Sequence, residues 1–86
     1  MSFNFELSSE LAKTLTKLKD PVLAGAVNKK IRQIISLDDE AISHLKNLKG
    51  DMGHLKRVHI GHFVLLFKVK GNTIIFERFV HHDSAY

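Results

Sequence analysis

The chain has 86 residues, a hydrophobic content of 44% and a formal net charge of +4. That length buries one small core and makes one domain, residues 1–86. The absence of cysteine excludes disulfides, a thiolate nucleophile and zinc–thiolate sites. The longest apolar run, residues 63–67, is far too short to span a bilayer, and Met1 is followed by polar Asn4 and Glu6 rather than a basic and then apolar leader. The expectation is a soluble, cytoplasmic protein.

Phe3, Phe5 and Leu7 alternate with Asn4 and Glu6, which predicts a short strand. Ser8 or Ser9 then offers a cap to a helix whose apolar stripe is Leu11, Leu15 and Leu18. Asp20-Pro21 ends that helix and starts another, Asp20 suiting an N-cap and Pro21 the first helical position. Leu23, Val27, Ile31, Ile34 and Ile35 form the second stripe, which fades at residues 36–39. A join this short predicts an antiparallel helical hairpin. Residues 38–44 suggest a brief third turn of helix, and residues 48–53, with two glycines, a loop.

From His54 the period changes to two. Residues 55–60 read as a strand, Gly61-His62 as a tight turn, and residues 63–69 as a strand buried by its composition. Residues 70–72 read as a hairpin turn and residues 73–80 as a last strand, followed by the polar ending His81-His82-Asp83-Ser84-Ala85-Tyr86. The expected class is α+β: an N-terminal strand, an antiparallel helical hairpin, then a three-stranded antiparallel meander with the helices packed on one face of the sheet.

Charge is uneven along this order. Residues 1–43 carry six basic and six acidic side chains; residues 44–86 carry seven basic and three acidic, and all six histidines. An electropositive, titratable half suits a polyanion, nucleic acid being the commonest, although an ordinary basic surface has the same composition. In the strand 55–60, Val58 and Ile60 can face the helices, which leaves Arg57 and His59 on the opposite face with Leu55. A guanidinium and an imidazole two residues apart can bind a phosphate and exchange a proton with it; they also read as the solvated side of an ordinary strand. If the chain's end brought His82 to that face, two imidazoles would surround one anion site. That is what a metal-free ribonuclease needs: one group takes the proton of a ribose 2′-OH and another protonates the leaving 5′-oxygen. Tyr86 could assist or stack on a base. A frayed polar tail is the plainer reading of the ending, with His81, Asp83 and Ser84 as connectors. The histidines follow no metal-ligand spacing, and no metal or other cofactor is expected.

Leu48-Lys49-Gly50, Arg57-Val58-His59-Ile60-Gly61, residues 63–69 and a final strand ending in His82-x-x-x-Tyr86 resemble the RelE/ParE superfamily of toxins. The order of elements fits that fold, so the resemblance covers nearly the whole chain. Phe76-Glu77-Arg78, followed by His82 and an aromatic four residues later, is similar to the YafQ-type branch. The resemblance implies the toxin of a type II toxin–antitoxin pair, held by a RelB-like antitoxin and acting on mRNA at the ribosome as a metal-independent endoribonuclease. The residues themselves add Arg57 to the catalytic groups and Lys49, Lys56 and His62 to substrate binding, while the resemblance itself implies catalytic roles for His59 and His82 and sets Tyr86 at the branch's terminal aromatic. The alternatives it leaves are a ParE-like inhibitor of DNA gyrase without chemistry, or a weakened relative that only binds antitoxin. Two departures bear on these roles. Val64 stands where RelE carries an arginine, as in the YafQ branch, and His62 and Lys46 fall near that branch's catalytic aspartate and a third histidine.

Overall fold

The computed structural model describes residues 3–45, 47 and 54–84. Expectations for the loop 48–53, for Lys46 and Lys49, and for Tyr86 lie outside the described residues. The elements run β1 (Asn4–Leu7), α1 (Ser9–Lys17), α2 (Pro21–Ile35), α3 (Asp39–Ser43), β2 (Lys56–Ile60), β3 (Phe63–Lys70) and β4 (Thr73–His81), then a 3-10 turn over His82–Ser84.

Local chemistry sets the helix starts. Ser8, Asp20 and Asp38 each hold extended backbone angles and accept a bond from the N–H three residues on, at Leu11, Leu23 and Ala41, which satisfies a donor the helix leaves unpaired. Pro21 occupies the first turn of α2, where its missing N–H costs nothing. The two hairpins turn on Gly61 and Gly71, each at φ 61°, the glycine-first arrangement that matches the twist of paired strands.

The four strands lie in the order β1-β4-β3-β2. The meander β2-β3-β4 is antiparallel as expected, but β1 pairs with β4 in parallel, so the sheet is mixed rather than antiparallel throughout. The helices carry the chain back across the sheet between β1 and β2, and β1 becomes an edge strand. Phe3 is buried, whereas Phe5 and Leu7, at the edge, are 49% and 40% exposed.

One face of the sheet packs under the helices. Leu11 of α1, Val27, Ile31 and Ile34 of α2 and Ile42 of α3 meet Ile60, Leu65, Phe67, Ile74, Phe76 and Phe79 in one core. A smaller cluster of Leu55, Val64 and Leu66 lies apart from it, on the other face by strand alternation. No helix among the described residues is long and apolar enough to cross a membrane.

β4 departs from simple alternation. Phe67 pairs with Phe76, but Leu66 pairs with Arg78, which leaves Glu77 as an extra residue. Such a bulge moves every later side chain to the opposite face from the one that period-two counting gives. Ile74 and Phe76 enter the main core, then Phe79 does, three positions on rather than two. Arg78, Val80 and His82 are thereby turned out of the main core, although the Arg78 guanidinium still reaches Glu10 at the start of α1. Ser8 ties the bulge down: its hydroxyl donates to the Glu77 carbonyl at 2.5 Å while accepting from Leu11 N.

Candidate active site on the open face of the sheet

The face turned away from the helices is organised in cross-strand rows. Arg57, Leu66 and Arg78 make one row, and His59, Val64 and Val80 the next. His82 follows Val80 by two residues, past the end of β3, where its backbone N–H donates to the His62 carbonyl at 2.8 Å. That bond extends the β3–β4 pairing by one step and holds the start of the 3-10 turn. It brings the His82 ring beside His59, with centroids 5.3 Å apart and planes inclined by 34°. Two histidines 23 positions apart in the chain thus share one patch.

Arg57 stands two residues from His59 on the same strand and face, about 7 Å along the chain axis, and is partly buried. Beneath the patch, Val64 is fully buried between His59 and Val80. The apolar residue at the position of the RelE arginine is therefore the floor of this surface. His59 is exposed and His82 half exposed, so both rings are accessible to a ligand.

Other basic groups on this face are already engaged. Arg78 Nε meets Glu10 Oε2 at 3.0 Å, and Lys68 Nζ meets Glu77 Oε1 at 3.6 Å. These are partly exposed pairs of little energetic weight. Among the described residues no group of three or more histidine or carboxylate side chains is placed to hold a metal ion.

The expected site residues divide accordingly. Arg57, His59 and His82 come together on one face. His62 lies exposed in the adjoining turn and contributes its carbonyl. Lys56 does not join them: it alternates with Arg57 onto the helix side, and its Nζ donates to Leu45 O at 3.3 Å and Asn47 Oδ1 at 3.1 Å. It ties the segment after α3 to the start of β2. Lys49 and Tyr86 lie outside the described residues. Sequence reasoning gave Arg78 no site role beyond its place in Phe76-Glu77-Arg78, and regular alternation from Phe76 would have set it on the core side. The signal that could have found it is the slip in the apolar spacing at Phe76 and Phe79.

No family model matches the chain. A putative toxin, RelE4, from Methanocaldococcus jannaschii is 38% identical over 89 residues, spanning 98% of this chain and 90% of that protein. Among solved structures, a chain of the toxin–antitoxin complex RelBE2 from Mycobacterium tuberculosis superposes with a TM-score of 0.73 at 19% identity, over 94% of this chain and 99% of that one. YafQ from E. coli gives a TM-score of 0.70 at 16% identity, over 98% of each chain. The two solved structures share the strand, helix pair and meander described above; the relative shares sequence along nearly the full length. The chain belongs to the RelE/ParE superfamily of toxin–antitoxin toxins.

Proposed function

We propose that this toxin is a metal-independent endoribonuclease that cuts mRNA on the ribosome and is held inactive by a RelB-like antitoxin. The observation that carries the reading is the meeting of His59 and His82, 5.3 Å apart between ring centroids, beside Arg57. Two imidazoles at that separation can both reach one phosphodiester. One takes the proton from the ribose 2′-OH, whose oxygen attacks the adjacent phosphorus; the other gives a proton to the departing 5′-oxygen. The products are a 2′,3′-cyclic phosphate and a 5′-hydroxyl. Arg57 offers the phosphorane a planar, permanently charged fork of donors. Tyr86 is assigned to the nucleotide base and Lys49 to a flanking phosphate from the sequence, both lying outside the described residues. Arg78 adds positive charge one row along the sheet.

The basic open face also supports the partner. A free toxin with this surface suits an acidic, amphipathic antitoxin segment, and their association should weaken with salt.

The test is mRNA cleavage in a translating extract by the wild type and by the His59→Ala, His82→Ala double variant. Cleavage by the first and not the second supports the reading. Equal cleavage by both sinks the site. Intact mRNA together with gyrase inhibited at stoichiometric toxin reverses the choice in favour of a ParE-like inhibitor.

A further inference from the structure

The 3-10 turn that follows β4 carries a carboxylate that the acid–base pair does not use directly. His81 and His82 diverge at the end of β4. The His81 ring lies edge-on to Phe63, centroids 5.4 Å apart at 74°, while the His82 ring lies beside His59. Asp83 comes next in the 3-10 turn. Its backbone N–H donates to His81 Nδ1 at 3.3 Å, and its two carboxylate oxygens stand 3.7 Å from the Nδ1 atoms of His81 and His82 respectively.

We propose that Asp83 is a positioning residue for His82, its carboxylate taking the Nδ1 proton so that the ring meets RNA through Nε2. This rests on the reading of His82 as an acid–base group. The two contacts of the carboxylate are not equivalent. His81 Nδ1 already accepts the Asp83 N–H, so a neutral His81 has its proton on Nε2 and none to offer the carboxylate. A carboxylate only accepts. His82 Nδ1 is therefore the nitrogen that can donate to it. A carboxylate on Nδ1 selects the tautomer with Nε2 unprotonated, the form a base needs.

The 3.7 Å separation is longer than a hydrogen bond. Contacts of this kind are commonly long in the free enzyme and tighten when substrate binds. Asp83 has room to close the gap, since its side chain is 87% exposed. The turn that presents it is anchored at two points, by His82 N to His62 O and by Asp83 N to the His81 ring. Such an exposed contact adds little to stability; its effect is on orientation.

The test is the tautomer of His82 in the purified toxin, read by long-range proton–nitrogen NMR with the rings in their neutral form. The wild type should show His82 as the Nδ1–H form and His81 as the Nε2–H form. Asp83→Ala should move His82 to Nε2–H and leave His81 as it was, and Asp83→Glu should restore Nδ1–H. In the cleavage assay Asp83→Ala should lower kcat about tenfold, part of the 10²–10⁴ that acid–base catalysis supplies, with KM within about twofold. A wild-type His82 in the Nε2–H form, or one unchanged by Asp83→Ala, overturns the proposal. If the tautomer responds as stated and the wild type cuts no message, the positioning contact stands and the ribonuclease reading alone fails.

Discussion

Ser8 sits where β1 hands over to α1, and its hydroxyl makes two bonds at once. It accepts from Leu11 N at 3.0 Å, capping the helix, and donates to the carbonyl of Glu77 at 2.5 Å. Glu77 is the bulge residue, so the second bond fixes the point at which β4 changes face. Removing an N-cap costs about 1 kcal/mol. Leaving the partly buried carbonyl without its donor costs about 1 kcal/mol more. Ser8→Ala should therefore lose about 2 kcal/mol from a total of roughly 4–13 kcal/mol for a domain this size, a fall in Tm of about 8–16 °C. Ser8→Asp separates the two bonds. A carboxylate still caps the helix but cannot donate to the Glu77 carbonyl, so it should lose about 1 kcal/mol, or 4–8 °C. Ser8→Thr keeps both and should match the wild type within about 0.5 kcal/mol. Thermal unfolding followed by circular dichroism reads all three. If Ser8→Ala melts with the wild type, or Ser8→Asp melts with Ser8→Thr, the bond to Glu77 has no role in holding the bulge.

Three further outcomes follow from where side chains point. Arg57→Ala should lower kcat for mRNA cleavage about 100-fold, the scale of one donor to a developing oxyanion, and Arg57→Lys should recover only part, since lysine keeps the charge without the fork; full recovery by lysine would mean that charge alone matters. Lys56→Met should leave cleavage within about twofold while costing about 0.5–1.5 kcal/mol in urea unfolding, because Lys56 Nζ bonds Leu45 O and Asn47 Oδ1 on the helix side; a large loss of activity with stability intact would return Lys56 to the substrate. Phe76→Ala removes a fully buried ring that packs against Phe67, centroids 5.7 Å apart, and should cost about 3–5 kcal/mol, enough to flatten the near-ultraviolet circular dichroism at 37 °C; a native-like spectrum there would contradict the core described.

Much of this architecture is legible residue by residue where the chemistry is local. Asp20-Pro21 announces a cap and a first turn, and the glycines at 61 and 71 announce tight hairpins, because each depends on neighbours a few positions away. The pairing of β1 with β4 is not legible in that way. It joins residues about 70 positions apart, and nothing in Asn4–Leu7 says which edge it will take. The candidate site has the same division. The alternation of Arg57 and His59 against Val58 and Ile60 puts the first two on the open face from sequence alone, and the same alternation already separates Lys56 from them. The position of His82 is different, because it depends on the bulge at Glu77. Were Glu77 paired in regular alternation instead of bulged out, Arg78, Val80 and His82 would face the helices. The sequence does carry that information, as the spacing of two from Ile74 to Phe76 and of three from Phe76 to Phe79, but only a reader who takes the slip as a bulge can use it. The family resemblance reached His82 by motif, whereas the bulge supplies the physical reason that it arrives beside His59.

The central claim is that His59 and His82 move protons for a 2′-hydroxyl attacking its own phosphate. The most direct measurement is cleavage of a message on the ribosome with a single 2′-deoxynucleotide placed just 5′ of the scissile bond, with the ends of the products identified. The account predicts that the all-ribose message yields a 2′,3′-cyclic phosphate and a 5′-hydroxyl, and that the deoxy message stays whole at that bond. Cleavage of the deoxy message there, or products ending in a 3′-hydroxyl and a 5′-phosphate, would contradict it.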